Sequence, residues 1–105
     1  MTPLQFDVFV NPSTRGTEGR PYVVVVQANI LRALHQRLVI PLVVENELKP
    51  LGRLNPAFEI EGRKVYLQPL ELAALPTRSL QKHVANLEDF RYQIISAIDL
   101  VITGI

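Results

Sequence analysis

The segment that most limits the folds open to this chain is Tyr22-Val23-Val24-Val25-Val26-Gln27. Four successive β-branched residues after an aromatic one favour extended backbone, and the lack of polar alternation predicts a strand buried on both faces. The neighbouring segments have the same character. Leu4, Phe6, Val8 and Val10 alternate with Gln5, Asp7 and Phe9, which predicts a first strand with one buried face. Arg37-Leu38-Val39-Ile40-Pro41-Leu42-Val43-Val44 predicts a third strand, with Pro41 at an edge or a bulge because it has no N–H to give a ladder. Residues 58–61 and 64–68 flank Gly62-Arg63 as a β-hairpin, and residues 73–80 are expected to hold a last short strand.

At Asn86 the pattern changes to a helical one. Asn86 is a capping residue, and Glu88 and Asp89 follow it where negative charge meets the positive end of a helix dipole. Leu87, Phe90, Ile94, Ala97, Ile98 and Val101 then recur at three- and four-residue steps, an apolar stripe that packs a helix on a sheet. With no proline, and no glycine before Gly104, the helix is predicted to continue to the end of the sequence. Residues 11–21 gather turn-forming types without an aliphatic side chain and predict a mobile surface loop. Residues 45–56, with two prolines and a glycine, predict a second. The expected architecture is one domain over residues 1–105, mainly antiparallel β, closed by a single C-terminal helix.

Composition removes several function classes. A length of 105 residues suits one hydrophobic core, and 11 basic against 10 acidic residues leave a formal charge of +1. That is no surplus with which to neutralise a run of phosphates, so direct nucleic-acid binding by this chain alone is not expected. There is no cysteine, hence no disulfide, thiolate metal site or thiol nucleophile. The first residues hold neither a basic segment nor an apolar run, and residues 23–26 are far too few to cross a bilayer, so a cytoplasmic protein without membrane attachment is expected. His35 and His83 have no second histidine at ligand spacing and are expected to be solvated side chains, with no metal site. Gly52, Gly62 and Gly104 are isolated, so no phosphate-cradling loop forms and no cofactor is implied. His35, Arg37 and Glu61 are residue types that could cleave RNA, but nothing in their spacing unites them.

The predicted helix carries the informative anomaly. At roughly 100° per residue, Ile95 and Ile102 fall about a quarter turn from the apolar stripe, on a flank with Tyr92, Asp99 and Thr103. Exposed apolar residues rimmed by polar ones suit a protein contact. The alternative is a sheet that curves round and buries both. Ile102-Thr103-Gly104-Ile105 stays apolar past a helix-ending glycine, which predicts a short apolar hook unless Ile105 folds back into the core.

Gln5-Phe6, the Val23-to-Gln27 run, Arg37-Leu38-Val39-Ile40-Pro41-Leu42, Leu75-Pro76 and Ala97-Ile98-Asp99-Leu100-Val101-Ile102-Thr103-Gly104-Ile105 together resemble the CcdB toxins of bacterial toxin-antitoxin modules. The resemblance implies a homodimeric, antiparallel SH3-like β-barrel with a C-terminal helix. It implies a non-catalytic toxin that binds the DNA gyrase A subunit and traps gyrase on cleaved DNA, blocking replication. Carried over position by position, the gyrase-binding face comprises Ile30, Leu31, Asp99, Ile102, Thr103, Gly104 and Ile105, the last giving an apolar contact and a carboxylate. A cognate CcdA-like antitoxin, with a disordered segment that folds onto the toxin, would neutralise it and join it in repressing the operon. The loops at residues 11–21 and 45–56 are candidates for that segment. Two positions depart from the family pattern. Thr103 stands where some members have tryptophan, a natural stacking anchor, and Asp99 where some have asparagine. The alternatives are a ribonuclease toxin on the same kind of barrel and a decayed, non-toxic homologue.

Overall fold

The computed structural model describes residues 2–13 and 18–105. Part of the loop predicted at residues 11–21, namely residues 14–17, lies outside the described residues. The strands are β1 (Asp7–Val10), β2 (Tyr22–Val25), β3 (Gln36–Val44), β4 (Ala57–Ile60), β5 (Arg63–Leu67), β6 (Ala73–Pro76) and β7 (His83–Asn86). The helix α1 spans Arg91–Thr103. All pairings are antiparallel, in the order β4-β5-β3-β2-β1-β7, with β6 also paired to β3. The fold is a mainly antiparallel half-barrel sheet with one C-terminal helix, as the sequence predicts.

The Val-rich run occupies the middle of this sheet, between β1 and β3, and all four residues of β2 are buried. Its alternate side chains feed two cores. Tyr22 and Val24 join Phe6, Val8, Ile40, Leu42, Phe58, Ile60, Val65 and Leu67 beneath α1. Val23 and Val25 join Phe9, Val39 and Leu80 on the opposite face. Two-sided cover reaches β1 as well, where Asp7, Val8 and Phe9 are all buried, so the one-faced strand expected there is corrected. The alternation was misleading because the residues that cover Phe9, among them Leu80, lie far along the chain. Phe6, just before β1, adopts φ 70°. That left-handed conformation costs a non-glycine residue about 1–2 kcal/mol. It is held by Phe6 N donating to Val25 O at 2.6 Å, by Leu87 N donating to Phe6 O at 2.8 Å, and by the fully buried ring.

Pro41 lies neither at an edge nor in a bulge. It faces Val23 of β2 within the central strand β3, at the point where the other side of β3 passes from β6, whose first residue Ala73 is opposite Val39, to β5, whose last residue Leu67 is opposite Leu42. The missing N–H falls in the gap between two partners, and Pro41 O still accepts from Gln68 N at 3.1 Å. The hairpin of β4 and β5 turns at Glu61-Gly62, one residue earlier than expected. Both residues have positive φ, 52° and 77°, the requirement of a two-residue type I′ turn.

The helix begins later than predicted. Residues 83–86 form β7 against β1, and a 3-10 turn at Glu88–Phe90 leads into α1 at Arg91. Asn86 does cap a turn, its Oδ1 accepting from Glu88 N at 2.8 Å. His83 is exposed, as expected, but it has partners: its Nε2 sits 3.0 Å from Asp7 Oδ1, to which Asn86 Nδ2 also donates, and its ring meets Phe9 edge-on.

Candidate functional site

The predicted site residues fall on two elements. On α1, Ile94 and Ala97 are buried and Ile95 and Ile98 pack partly against the core, so of the two readings open for Ile95 the structure favours cover by the sheet. From Val101 onward every residue is exposed, Ile102 at 70 % and Ile105 at 81 %. Neither isoleucine folds back into the core. Gly104 ends the helix with φ 77°, its N–H donating to Leu100 O at 3.1 Å, the left-handed cap that glycine adopts without strain. Thr103 organises the tail: its Oγ1 donates to Asp99 O at 2.7 Å and accepts from Ile105 N at 3.3 Å. The position that could have held a stacking ring instead holds a hydroxyl that fixes the direction of the last two residues. Asp99 is exposed on the same end of the helix.

Ile30 and Leu31 lie on a 3-10 turn, Asn29–Leu31, and are 86 % and 47 % exposed. An apolar turn this exposed needs fixing from beneath, and three side chains do so. Gln27 is buried; its Nε2 donates to Gln36 O at 3.1 Å and Leu31 O at 3.4 Å, and its Oε1 accepts from Leu38 N at 3.1 Å. Asn29 Oδ1 accepts from Gln5 N at 2.8 Å. Arg37, 2 % exposed, donates to the carbonyls of Pro3, Arg32, Leu34 and Gln36 at 2.8–2.9 Å. Sequence reasoning gave Gln27 and Arg37 no structural task. The available signal was a strongly polar residue within or beside a strand whose other members are core types. Within the chain the turn is not among the main neighbours of α1, which packs on the turns at Gly52–Leu54, Pro69–Glu71 and Glu88–Phe90. The two exposed patches are therefore separate elements of one chain.

The residues that could cleave RNA are not brought together. Arg37 is committed to backbone carbonyls. Glu61 Oε1 accepts from the Tyr22 hydroxyl at 2.8 Å, and burial, with this bond adding to it, pushes the Tyr22 phenol above its ordinary range. Tyr22 lies opposite Leu42, seven residues along β3 from His35, a separation of about 23 Å in extended chain. Among the described residues no group of three His, Cys, Asp or Glu side chains could hold a metal ion, and no helix is long and apolar enough to cross a membrane.

The family model for the CcdB protein matches residues 5–104, nearly the whole chain. The chain belongs to the CcdB family. It is thus a toxin of the toxin-antitoxin class. No curated protein sequence gives a significant match. Among solved structures, a chain in the crystal structure of MazE-MazF (Form-II) from Deinococcus radiodurans superposes with a TM-score of 0.66 at 15 % identity, covering 97 % of this chain and 96 % of that one. At that identity the likeness carries the fold and no more.

Proposed function

We propose that this CcdB-family toxin acts by binding the DNA gyrase A subunit and trapping gyrase on cleaved DNA, without catalysing a reaction itself. The contact face is formed by Asp99, Ile102, Thr103, Gly104 and Ile105 at the end of α1, with Ile30 and Leu31 on the 3-10 turn. The observation that carries this reading is the C-terminal tail: two isoleucines more than two-thirds exposed, held in a fixed direction by the Gly104 cap and the Thr103 hydroxyl. Apolar residues grouped on one projecting tail and held in one direction form the kind of surface on which a protein partner docks. The protein acts as a homodimer in the cytoplasm. Symmetry then presents each patch twice, which a two-fold target such as a dimeric enzyme subunit can engage on both sides.

A CcdA-like antitoxin neutralises the toxin and with it represses the operon. Its docking region is the rim where the two predicted loops meet. Val44 N donates to Gly19 O at 2.8 Å, and Gly19 packs on the Glu47 side chain. Beyond this rim a groove of about 400 Å³ separates residues 52–57 from Tyr92, Gln93 and Ser96 of α1, with the exposed Leu51 nearby. A disordered segment needs apolar surface of this kind on which to fold.

The test is a supercoiling and DNA-cleavage assay with purified gyrase, run beside an RNA-cleavage assay on the same preparation. Linear DNA that appears with gyrase and ATP, and disappears on removal of Gly104 and Ile105 with the fold intact, is the expected result. RNA fragments made by the toxin alone would replace this reading with the ribonuclease one, and inactivity in both assays would mark a decayed homologue.

A further inference from the structure

We propose that the cavity beside Arg37 is an oxyanion site that takes a phosphate group. The cavity, about 340 Å³, lies between the segment leading into β3 and the turn after β6. Arg32, His35, Arg37 and Arg78 line it, and no carboxylate does. The two segments are tied at this point by Thr77 N donating to His35 O at 2.9 Å.

Arg37 makes the site more than a basic patch. A guanidinium has five N–H donors and a permanent charge. At Arg37 four of its bonds go to backbone carbonyls: one from Nε, two from Nη1 and one from Nη2. One N–H is therefore not spent on the chain. Among the described residues no carboxylate lies within 4.0 Å of Arg32, Arg37 or Arg78. A buried cation without a counter-charge is costly, and carbonyl dipoles offset the cost only in part. An anion in the adjoining cavity completes the balance. Three guanidinium groups, of which Arg37 is fixed and Arg32 and Arg78 are free to adjust, favour phosphate over carboxylate. A planar carboxylate offers two oxygens and matches one arginine fork. A tetrahedral phosphate offers oxygens in several directions and up to two charges, so it can meet Arg32 from one segment and Arg78 from the other. Both are exposed and can swing onto a ligand at no cost to the core.

The experiment titrates the intact protein with inorganic phosphate, against sodium chloride of equal ionic strength, by calorimetry and by amide resonances. Saturable binding, with shifts concentrated at Leu34, His35, Arg37 and Thr77, is the expected result. An Arg32→Gln/Arg78→Gln double variant, whose fold is checked by circular dichroism, weakens binding by about tenfold or more. Phosphate that behaves like chloride, shifts centred elsewhere, or an unchanged affinity in the double variant each overturn the proposal. Two further probes separate the sources of the group. Tighter binding of adenosine monophosphate than of a short single-stranded RNA identifies a small phosphorylated ligand. The reverse order, abolished by the same double variant, identifies a nucleic-acid backbone. A glutamate-rich peptide that displaces phosphate and binds more tightly than either probe would overturn the choice of phosphate. None of these readouts involves gyrase, so the site stands or fails apart from the function proposed above.

Discussion

Replacing Gly104 with alanine isolates the conformation of the tail from its chemistry. A Cβ at this position meets nothing within 4 Å, so the change creates no clash. Its whole effect comes from φ 77°, where an L-residue loses roughly 1–2 kcal/mol relative to glycine. The surroundings decide where that cost appears. Residues 101–105 are all exposed and make no part of either core, so the last turn can unwind without disturbing the sheet. The cap bond from Gly104 N to Leu100 O and the bond from Ile105 N to Thr103 Oγ1 open, and Ile105 loses its fixed direction. A penalty of about 1–2 kcal/mol is a factor of about 5–30 in the population of the capped tail.

Gly104→Ala should therefore weaken binding to the gyrase A fragment by about 5- to 30-fold, measured by calorimetry, with an unchanged urea midpoint. A semi-synthetic Gly104→D-Ala variant supplies the control. It adds the same methyl group, but a D-residue accepts positive φ, so wild-type affinity should return. Equal loss in the L and D variants would show that the methyl group obstructs the partner, and the preorganisation argument would be wrong. No loss in either would remove the tail from the binding face.

The buried Arg37 should dominate local stability: Arg37→Met strips four carbonyls of their donor and should cost about 3–5 kcal/mol in urea unfolding, with Ile30 and Leu31 amides losing exchange protection first. The Arg20–Glu71 pair, with contacts of 2.6 and 2.7 Å, should make stability depend on acid pH. The Arg20 guanidinium holds the Glu71 carboxyl below its ordinary range, so its stabilisation is complete above the unfolded carboxylate value and is lost as pH falls through the depressed folded one. Because both side chains are about a third exposed, the effect should be at most about 1 kcal/mol, and Glu71→Gln should flatten the acid limb by that amount. Gly19→Ala combines φ 78° with a Cβ driven into the Glu47 side chain, and should cost about 1–2 kcal/mol by thermal unfolding. Pairing it with Glu47→Ala removes the Cγ and Cδ contacts but leaves residue 47's Cβ close and the backbone strain unchanged, so only part of the loss should return.

How far the sequence could be read depended on whether the deciding interaction was local. The Val23-to-Val26 run and the glycine at position 62 carry their structure in their own backbone preferences, and the central strand and the hairpin followed from them, with the turn displaced by one residue because Glu61 also takes positive φ. Strand β7 did not, because His83-Val84-Ala85-Asn86 is short and mixed, and its extension depends on pairing with β1, more than seventy residues earlier. Gln27 and Arg37 were missed as supports for a different reason. Their partners are backbone N–H and carbonyl groups, most of them close in the chain, and residue types do not reveal which backbone groups need a side-chain partner.

The contrast between Ile95 and Ile102 shows the limit most sharply. Helical geometry puts the two on one flank and predicts one fate for both. Ile95 is partly covered by the core, while Ile102 stands 70 % exposed, because core contact ends before the last turn of α1. Periodicity reports which face of a helix is apolar but not how far the surface beneath it extends. That missing length turns an ordinary packing stripe at Ile94 and Ala97 into a projecting hook at Ile102 and Ile105. A Gly104 cap in open space and a Thr103 hydroxyl tying both ends of the turn have little to gain for the core, since they stabilise residues that the core does not touch. Their effect is to hold an apolar tail in one shape, and under the function proposed above this lowers the ordering cost of binding.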